Sequence, residues 1–129
     1  MAVDRDKTLQ TAQKLVDKKR YDKAIAEYRK LVADDPGDVR TLLKIGDLHL
    51  KLDAHEEAIK TYEQVGEYYY REGFSVKAIA VYKQIREIIR KHVPQLGEQY
   101  GHIIPKLAQL YQDLGLTGED QERNHCVDD

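Results

Sequence analysis

The chain has 129 residues and a mass of 15.0 kDa, the size of one domain able to bury a core without disulfides or metals. Three prolines and eight glycines are too few for a turn-rich β domain or a linker, and 41% hydrophobic with 34% charged residues suits a helical array with much surface. With 21 basic and 23 acidic residues the net charge is −2, which removes the whole-chain electrostatic case for nucleic acid.

Apolar residues recur at helical spacing along nearly the whole chain. A first helix is expected over about 7–18, with Leu9, Ala12, Leu15 and Val16 on one side. A second runs over about 21–33 and is stopped by Asp34-Asp35-Pro36-Gly37, because Pro lacks an N–H and biases its predecessor away from helix. Asp38 is placed to cap a third helix over about 39–52. Asp53, with Glu56 three residues on, reads as a capping box for a fourth helix over about 54–71, which Gly73 ends in a left-handed turn. Ser75 is the expected cap of a fifth helix over about 76–91. Pro94 marks a break, and a sixth helical region over about 96–114 is expected to kink or restart at Pro105 and to end at Gly115. Residues 1–116 thus form one helical domain, and the polar residues 117–129 are expected to be a disordered tail.

One pattern repeats. Ala24 and Tyr28 stand one helical turn apart, and Ala58 and Tyr62 repeat the pair 34 residues later. The segment 21–28 aligns with 55–62, and a third copy, 75–82 with Ala78 and Tyr82, follows after a step of only 20. A small residue lets two helix backbones approach, and the tyrosine fills the gap beside it. Fixed-period repetition marks a solenoid in which each hairpin buries its face only against the next.

On these residues the sequence resembles the tetratricopeptide repeat family, known for its 34-residue period. Leu42, Ile45, Gly46, Ala58 and Tyr62 supply the family pattern in the second repeat, and Leu15, Tyr21, Ala24, Tyr28, Leu31 and Pro36 in the first. Ile104, Leu107, Ala108, Tyr111 and Gly115 form a later first-helix segment. The resemblance covers about residues 5–115 and implies an all-α solenoid of about six antiparallel hairpin helices wound as a right-handed superhelix. Two departures stand out. Thr11-Ala12 replaces the usual Leu-Gly in the first helix. The 20-residue step and the run Val65-Gly66-Glu67-Tyr68-Tyr69 make the fourth helix the second of one repeat and the first of the next. The chain also ends its repeats on a first-helix motif, so the apolar face of the last helix is expected to be open or capped by another molecule.

Catalytic and metal signatures are not found. Phosphate-loop, nucleophile-elbow, His-Glu-x-x-His and calcium-loop motifs do not occur. Cys126 is the sole cysteine, which excludes an internal disulfide and a multi-cysteine metal site. His49, His55, His92, His102 and His125 lack i, i+4 partners for a metal and read as surface or packing residues. The sequence Asn124-His125-Cys126 has no further ligands beside it. The carboxylate pairs Asp34/Asp35 and Glu56/Glu57 read as helix-end residues. No catalytic residue, metal or cofactor is therefore expected. No run approaches the ~18 apolar residues of a membrane span, and no apolar stretch follows Met1, so the expectation is a non-membrane, cytoplasmic protein without a signal peptide.

Binding residues are suggested by the resemblance, which implies a concave groove lined by first-helix side chains. By position these are Leu9, Gln13 and Val16, then Arg40, Leu43, Lys44, Asp47 and Lys51, then Lys60, Glu63, Glu67 and Tyr70 of the fourth helix. Some family members clamp a peptide's terminal carboxylate with two Lys, two Asn and one Arg. Leu9 and Gln13 stand where the first Lys and Asn belong, so that clamp is absent here. Arg40 and Lys44 share one side of a helix by i, i+4 spacing, as a solvated face or as contacts to an acidic partner. Lys83, Arg86 and Arg90 form a second basic stripe that Glu87 interrupts. In Tyr68-Tyr69-Tyr70 the middle ring is core by position. At least one flanking ring should be partly exposed, for binding or for packing at the slipped junction. The function expected is a non-enzymatic scaffold that docks a protein or peptide in this groove. The alternative is self-association as a weak homodimer through Leu107, Leu110, Tyr111 and Leu114.

Overall fold

The structure, a computed structural model, describes residues 3–115. Within them the chain forms six α-helices: α1 (Arg5–Asp17), α2 (Tyr21–Asp34), α3 (Val39–Lys51), α4 (His55–Arg71), α5 (Ser75–His92) and α6 (Ile103–Asp113), with a 3-10 turn at Pro94–Leu96 before α6. No strand occurs among the described residues. Each helix packs on the next in sequence, so the fold is a series of antiparallel hairpins. The tail expected over 117–129 lies outside the described residues.

Three hairpins share one joint. Ala12, Ala24 and Tyr28 pack in the first, Gly46, Ala58 and Tyr62 in the second, and Gly66, Ala78 and Tyr82 in the third, at identical spacings of 12 and 16 residues. The alanines are fully buried and the three tyrosines nearly so. A Cβ added to Gly46 would stand 2.7 Å from the Tyr62 ring, and one on Gly66 would stand 2.9 Å from Tyr82. Glycine is required there by the close approach of a ring, not by backbone conformation. α4 thus supplies Ala58 and Tyr62 to the hairpin before it and Gly66 to the hairpin after it, the double role expected from the 20-residue step.

The turns within these hairpins are also alike. Loops 18–20, 52–54 and 72–74 each place their middle residue in the left-handed region: Lys19 at φ 60°, Asp53 at φ 58° and Gly73 at φ 80°. The third loop residue donates its N–H back to the preceding helix, Arg20 to Leu15, Ala54 to His49 and Phe74 to Tyr69, at 2.8–2.9 Å. This geometry corrects two expected caps. Asp53 is occupied with the left-handed turn, so Ala54 is the N-cap of α4 and no side chain bonds there. Ser75 already lies inside α5, whose N-cap is Phe74. Asp38 does cap α3, accepting from the Thr41 N–H at 3.1 Å and the Thr41 hydroxyl at 2.6 Å. The sixth region restarts rather than kinks: residues 97–102 form turns, and Pro105 sits in the first turn of α6, where a backbone N–H has no intrahelical acceptor.

The core has two parts. A smaller cluster joins α1 and α2 to Ile45 and Leu48 of α3. A larger one runs from Leu42 of α3 through α4 and α5 to α6. α3 therefore has two buried sides, one toward each neighbour. Among the described residues no helix is long and apolar enough to cross a membrane.

Candidate functional site

The first-helix side chains of α1 and α3 converge beside Tyr28. Gln13, Val16, Tyr28, Lys44, Asp47 and Leu48 line a shallow cavity of about 150 Å3. The Lys44 ammonium lies 5.5 Å from the centre of the Tyr28 ring, and Lys51 lies 5.7 Å from that of Tyr21, both within cation–π range. Asp47 accepts a hydrogen bond from the Tyr62 hydroxyl across the α3–α4 hairpin. Gln13 donates to Asp17 at 2.9 Å. Burial first, then the Asp47 carboxylate, holds the Tyr62 phenol far above its ordinary pKa, so it serves as a donor. Arg40, Lys44 and Lys51 are exposed, and no ion pair engages them among the described residues.

The expected groove residues do not form one surface. Leu9 is half-buried against the α1–α2 core and Leu43 against the larger one, so both are packing residues as much as lining residues. Glu67 and Tyr70 of α4 face α6: Lys106 approaches Glu67 at 3.5 Å and lies 5.9 Å from the Tyr70 ring centre. His102 pairs with Glu63. α6 thus occupies the side of α4 that was expected to continue the groove. A second, open cavity of about 530 Å3 lies between the α2–α3 loop and the end of α4, lined by residues that include Pro36, Gln64, Tyr68 and Arg71. Tyr69 is buried, Tyr68 is half-buried and Tyr70 is 38% exposed, so the tyrosine run packs mainly inward.

Repeat position explains these contacts and could have revealed them. Gln13, Asp47 and Glu67 each follow the small residue of their joint by one: Gln13 lines the cavity with Tyr28, Asp47 accepts from the Tyr62 hydroxyl, and Glu67 acts on the Tyr82 phenol. In the third joint Glu67 turns to Lys106, and the buried Tyr82 hydroxyl is left without a hydrogen-bond partner among the described residues. Burial, followed by Glu67 and Glu63, pushes that phenol up to about 12.

α6 divides the residues expected for self-association. Leu107, Leu110 and Tyr111 are buried in the chain's own core against α5, because they stand where α3 contacts its preceding hairpin. Leu114, at 41%, remains exposed, and so does Ile104, at 65%.

His49 is buried, and His55 and His92 stack with ring centres 4.3 Å apart. Arg90 of the second basic stripe bonds Glu87 at 3.2 Å. His125 and Cys126 lie outside the described residues. Among the described residues no group of three or more His, Cys, Asp or Glu side chains is arranged to hold a metal ion.

No curated protein matches the sequence. Among solved structures, the chain is similar to the Yersinia enterocolitica type III secretion chaperone SycD in complex with a peptide of the translocator YopD, at 16% identity and a TM-score of 0.47, covering 87% of this chain and 96% of that one. Two further structures of the same chaperone are similar at 17% and 16% identity, with TM-scores of 0.44 and 0.45. They cover 84% and 89% of this chain and 92% and 90% of theirs, and the first is described as an alternative dimer. Likeness this distant carries no weight for what the present chain binds. The family profile of the tetratricopeptide repeat matches residues 15–80, just over half of the chain, and holds all of the second joint, Ala24 and Tyr28 of the first, and Gly66 and Ala78 of the third. The architecture is that of a protein-interaction scaffold, and the chain belongs to the tetratricopeptide repeat family.

Proposed function

We propose that the protein is a non-enzymatic scaffold that docks an acidic peptide or protein segment on the α1–α3 side of its repeats. The observation that carries this reading is the charge arrangement around Tyr28. Arg40, Lys44 and Lys51 are exposed along α3 without acidic partners among the described residues, while Glu63 and Glu67 of α4 pair with His102 and Lys106. Asp47 and Asp17 each accept a hydrogen bond from a neighbouring side chain. Lys44 sits against an aromatic face that fixes its stem, and Val16 and Leu48 offer apolar floor beside it. An extended segment with a carboxylate beside an apolar side chain matches that surface.

The test is selection of binders from a random peptide library on the full chain. Recovered peptides are expected to be rich in Asp and Glu. Joint reversal of Arg40→Glu and Lys44→Glu should weaken them by about 1–3 kcal/mol while leaving the thermal melt unchanged. Peptides that bind the reversed protein as tightly as the original would place the docking site elsewhere.

A further inference from the structure

The structure points to a second docking site: we propose that α6 is an empty seat for an amphipathic helix of a partner protein, one with a small and an aromatic residue one turn apart. α6 is equivalent to α3 at an offset of 62 residues. Lys106 lies 5.8 Å from the Tyr82 ring centre as Lys44 lies 5.5 Å from that of Tyr28, and each helix follows the tyrosine it covers. Thr41, Ile45, Leu48 and His49 of α3 are buried, and so are their counterparts Ile103, Leu107, Leu110 and Tyr111. These positions face the preceding hairpin.

The other side differs. Leu42 and Gly46 of α3 are buried beneath α4, Gly46 against the Tyr62 ring. Their counterparts, Ile104 and Ala108, are exposed, Ile104 at 65%. α6 also ends as the hairpins turn: Gly115 takes φ 73° at the position of Asp53 in the α3–α4 loop. α6 therefore has the residues and the terminal geometry of a first helix whose second helix is not supplied by the described residues.

Three occupants are open to such a seat. Continuing the register along this chain puts Asp120, Gln121 and Asn124 where Ala58, Ile59 and Tyr62 stand, so the 14 residues after Gly115 offer polar groups at the three positions a seat buries. A second copy has its small–aromatic pairs locked in its own core, at Ala24/Tyr28, Ala58/Tyr62 and Ala78/Tyr82. Two α6 faces set together, with Ile104, Ala108 and Leu114 of each copy exposed, bring no small–aromatic pair from either side. A partner helix bearing the small–aromatic pair fills the seat as α4 fills that of α3.

The probe is a labelled synthetic peptide of residues 53–71, the natural second helix of α3, titrated into the full chain. Saturable binding is expected with Kd on the order of 10–100 μM, the short helix having to order on contact. Ala108→Arg or Ile104→Asp in the protein, and Tyr62→Ala in the peptide, should each weaken it at least about tenfold. Lys44→Glu should leave it unchanged, which separates this site from the groove. No saturable binding up to about 1 mM would overturn the proposal, as would binding indifferent to Ala108→Arg. Binding that appears only after removal of residues 116–129 would assign the seat to the chain's own tail. A dimer in sedimentation that Ala108→Arg dissolves would assign it to a second copy. Ala108 and Ile104 are exposed, so unchanged melts of the variants are expected and checked alongside.

Discussion

The two ends of the helix series are finished differently. At the start, α1 stands in first-helix register, and no described hairpin packs before it. The positions that α3 buries as Thr41, Ile45 and Leu48 are Lys7, Thr11 and Lys14 in α1, and all three are exposed. At the far end, α6 has a hairpin before it but no described helix after it, and the positions that α3 buries as Leu42 and Gly46 are Ile104 and Ala108. A helical array must solvate its terminal faces or cover them. The first end is solvated by charge and hydroxyl, whereas the second keeps residues suited to packing. The same helix type has thus been adapted to water at one end and not at the other.

The comparison assumes that every internal joint is tightly packed, and the largest expected effect tests that assumption. Ala58→Leu and Ala78→Leu each insert a side chain where no space exists. Overpacking should cost roughly 1–3 kcal/mol, or a melting point lower by roughly 4–12 °C. Melts within about a degree of the unaltered protein would mean that the joints are not as assigned.

The solvated end can be loosened at its tie to α3. Arg5 bonds Asp38 at 2.5 Å, and Asp38 caps α3. Burial acts to raise the Asp38 pKa, but hydrogen bonds from Thr41 and Arg5 outweigh it and hold the carboxyl below its ordinary range. A depressed carboxyl contributes stability above its unfolded pKa and loses it as pH falls through the folded value. Asp38→Ala should therefore cost about 1–2 kcal/mol at pH 7 and much less at pH 2, read by urea denaturation at both. An equal loss at the two pH values would contradict the charged cap.

A smaller effect separates α3 from α6 at one equivalent position. His49 is buried where α6 has Tyr111. Burial, with Arg29 adding to it and Glu57 opposing, lowers the imidazole pKa. The unfolded chain therefore takes up this proton first as pH falls below about 6.5, and stability drops in that window. His49→Leu should flatten the fall in melting temperature between pH 7 and pH 5. An unchanged slope would place the titration elsewhere.

Much of this was legible in the sequence because the joints are local and periodic. Ala24/Tyr28, Ala58/Tyr62 and Ala78/Tyr82 sit one turn apart, and the 20-residue step alone disclosed the double role of α4. The direction of each apolar residue was harder to read. Periodicity marks Leu107, Leu110 and Tyr111 as one stripe without saying which neighbour covers it, and only the offset from α3 separates that stripe from Ile104 and Ala108. The reach of the groove along α4 was hidden for a related reason. Glu63, Glu67 and Tyr70 meet His102 and Lys106 through contacts 36–39 residues apart in sequence, which no local pattern encodes. The caps at Asp53 and Ser75 failed because the turn is set by a left-handed backbone, for which the polar side chains were not needed.

The central claim is that α3 and α6 are the same helix, one covered and one bare. Urea denaturation of Gly46→Ala beside Ala108→Leu tests it most directly. Gly→Ala inside a helix ordinarily stabilises by about 0.5–1 kcal/mol, but here the new methyl meets the Tyr62 ring, so a loss of roughly 1–3 kcal/mol is expected. Ala108→Leu, the larger insertion, should stay within about 0.5 kcal/mol of the unaltered protein. A stabilised Gly46→Ala, or an Ala108→Leu that loses as much as Gly46→Ala, would contradict the equivalence.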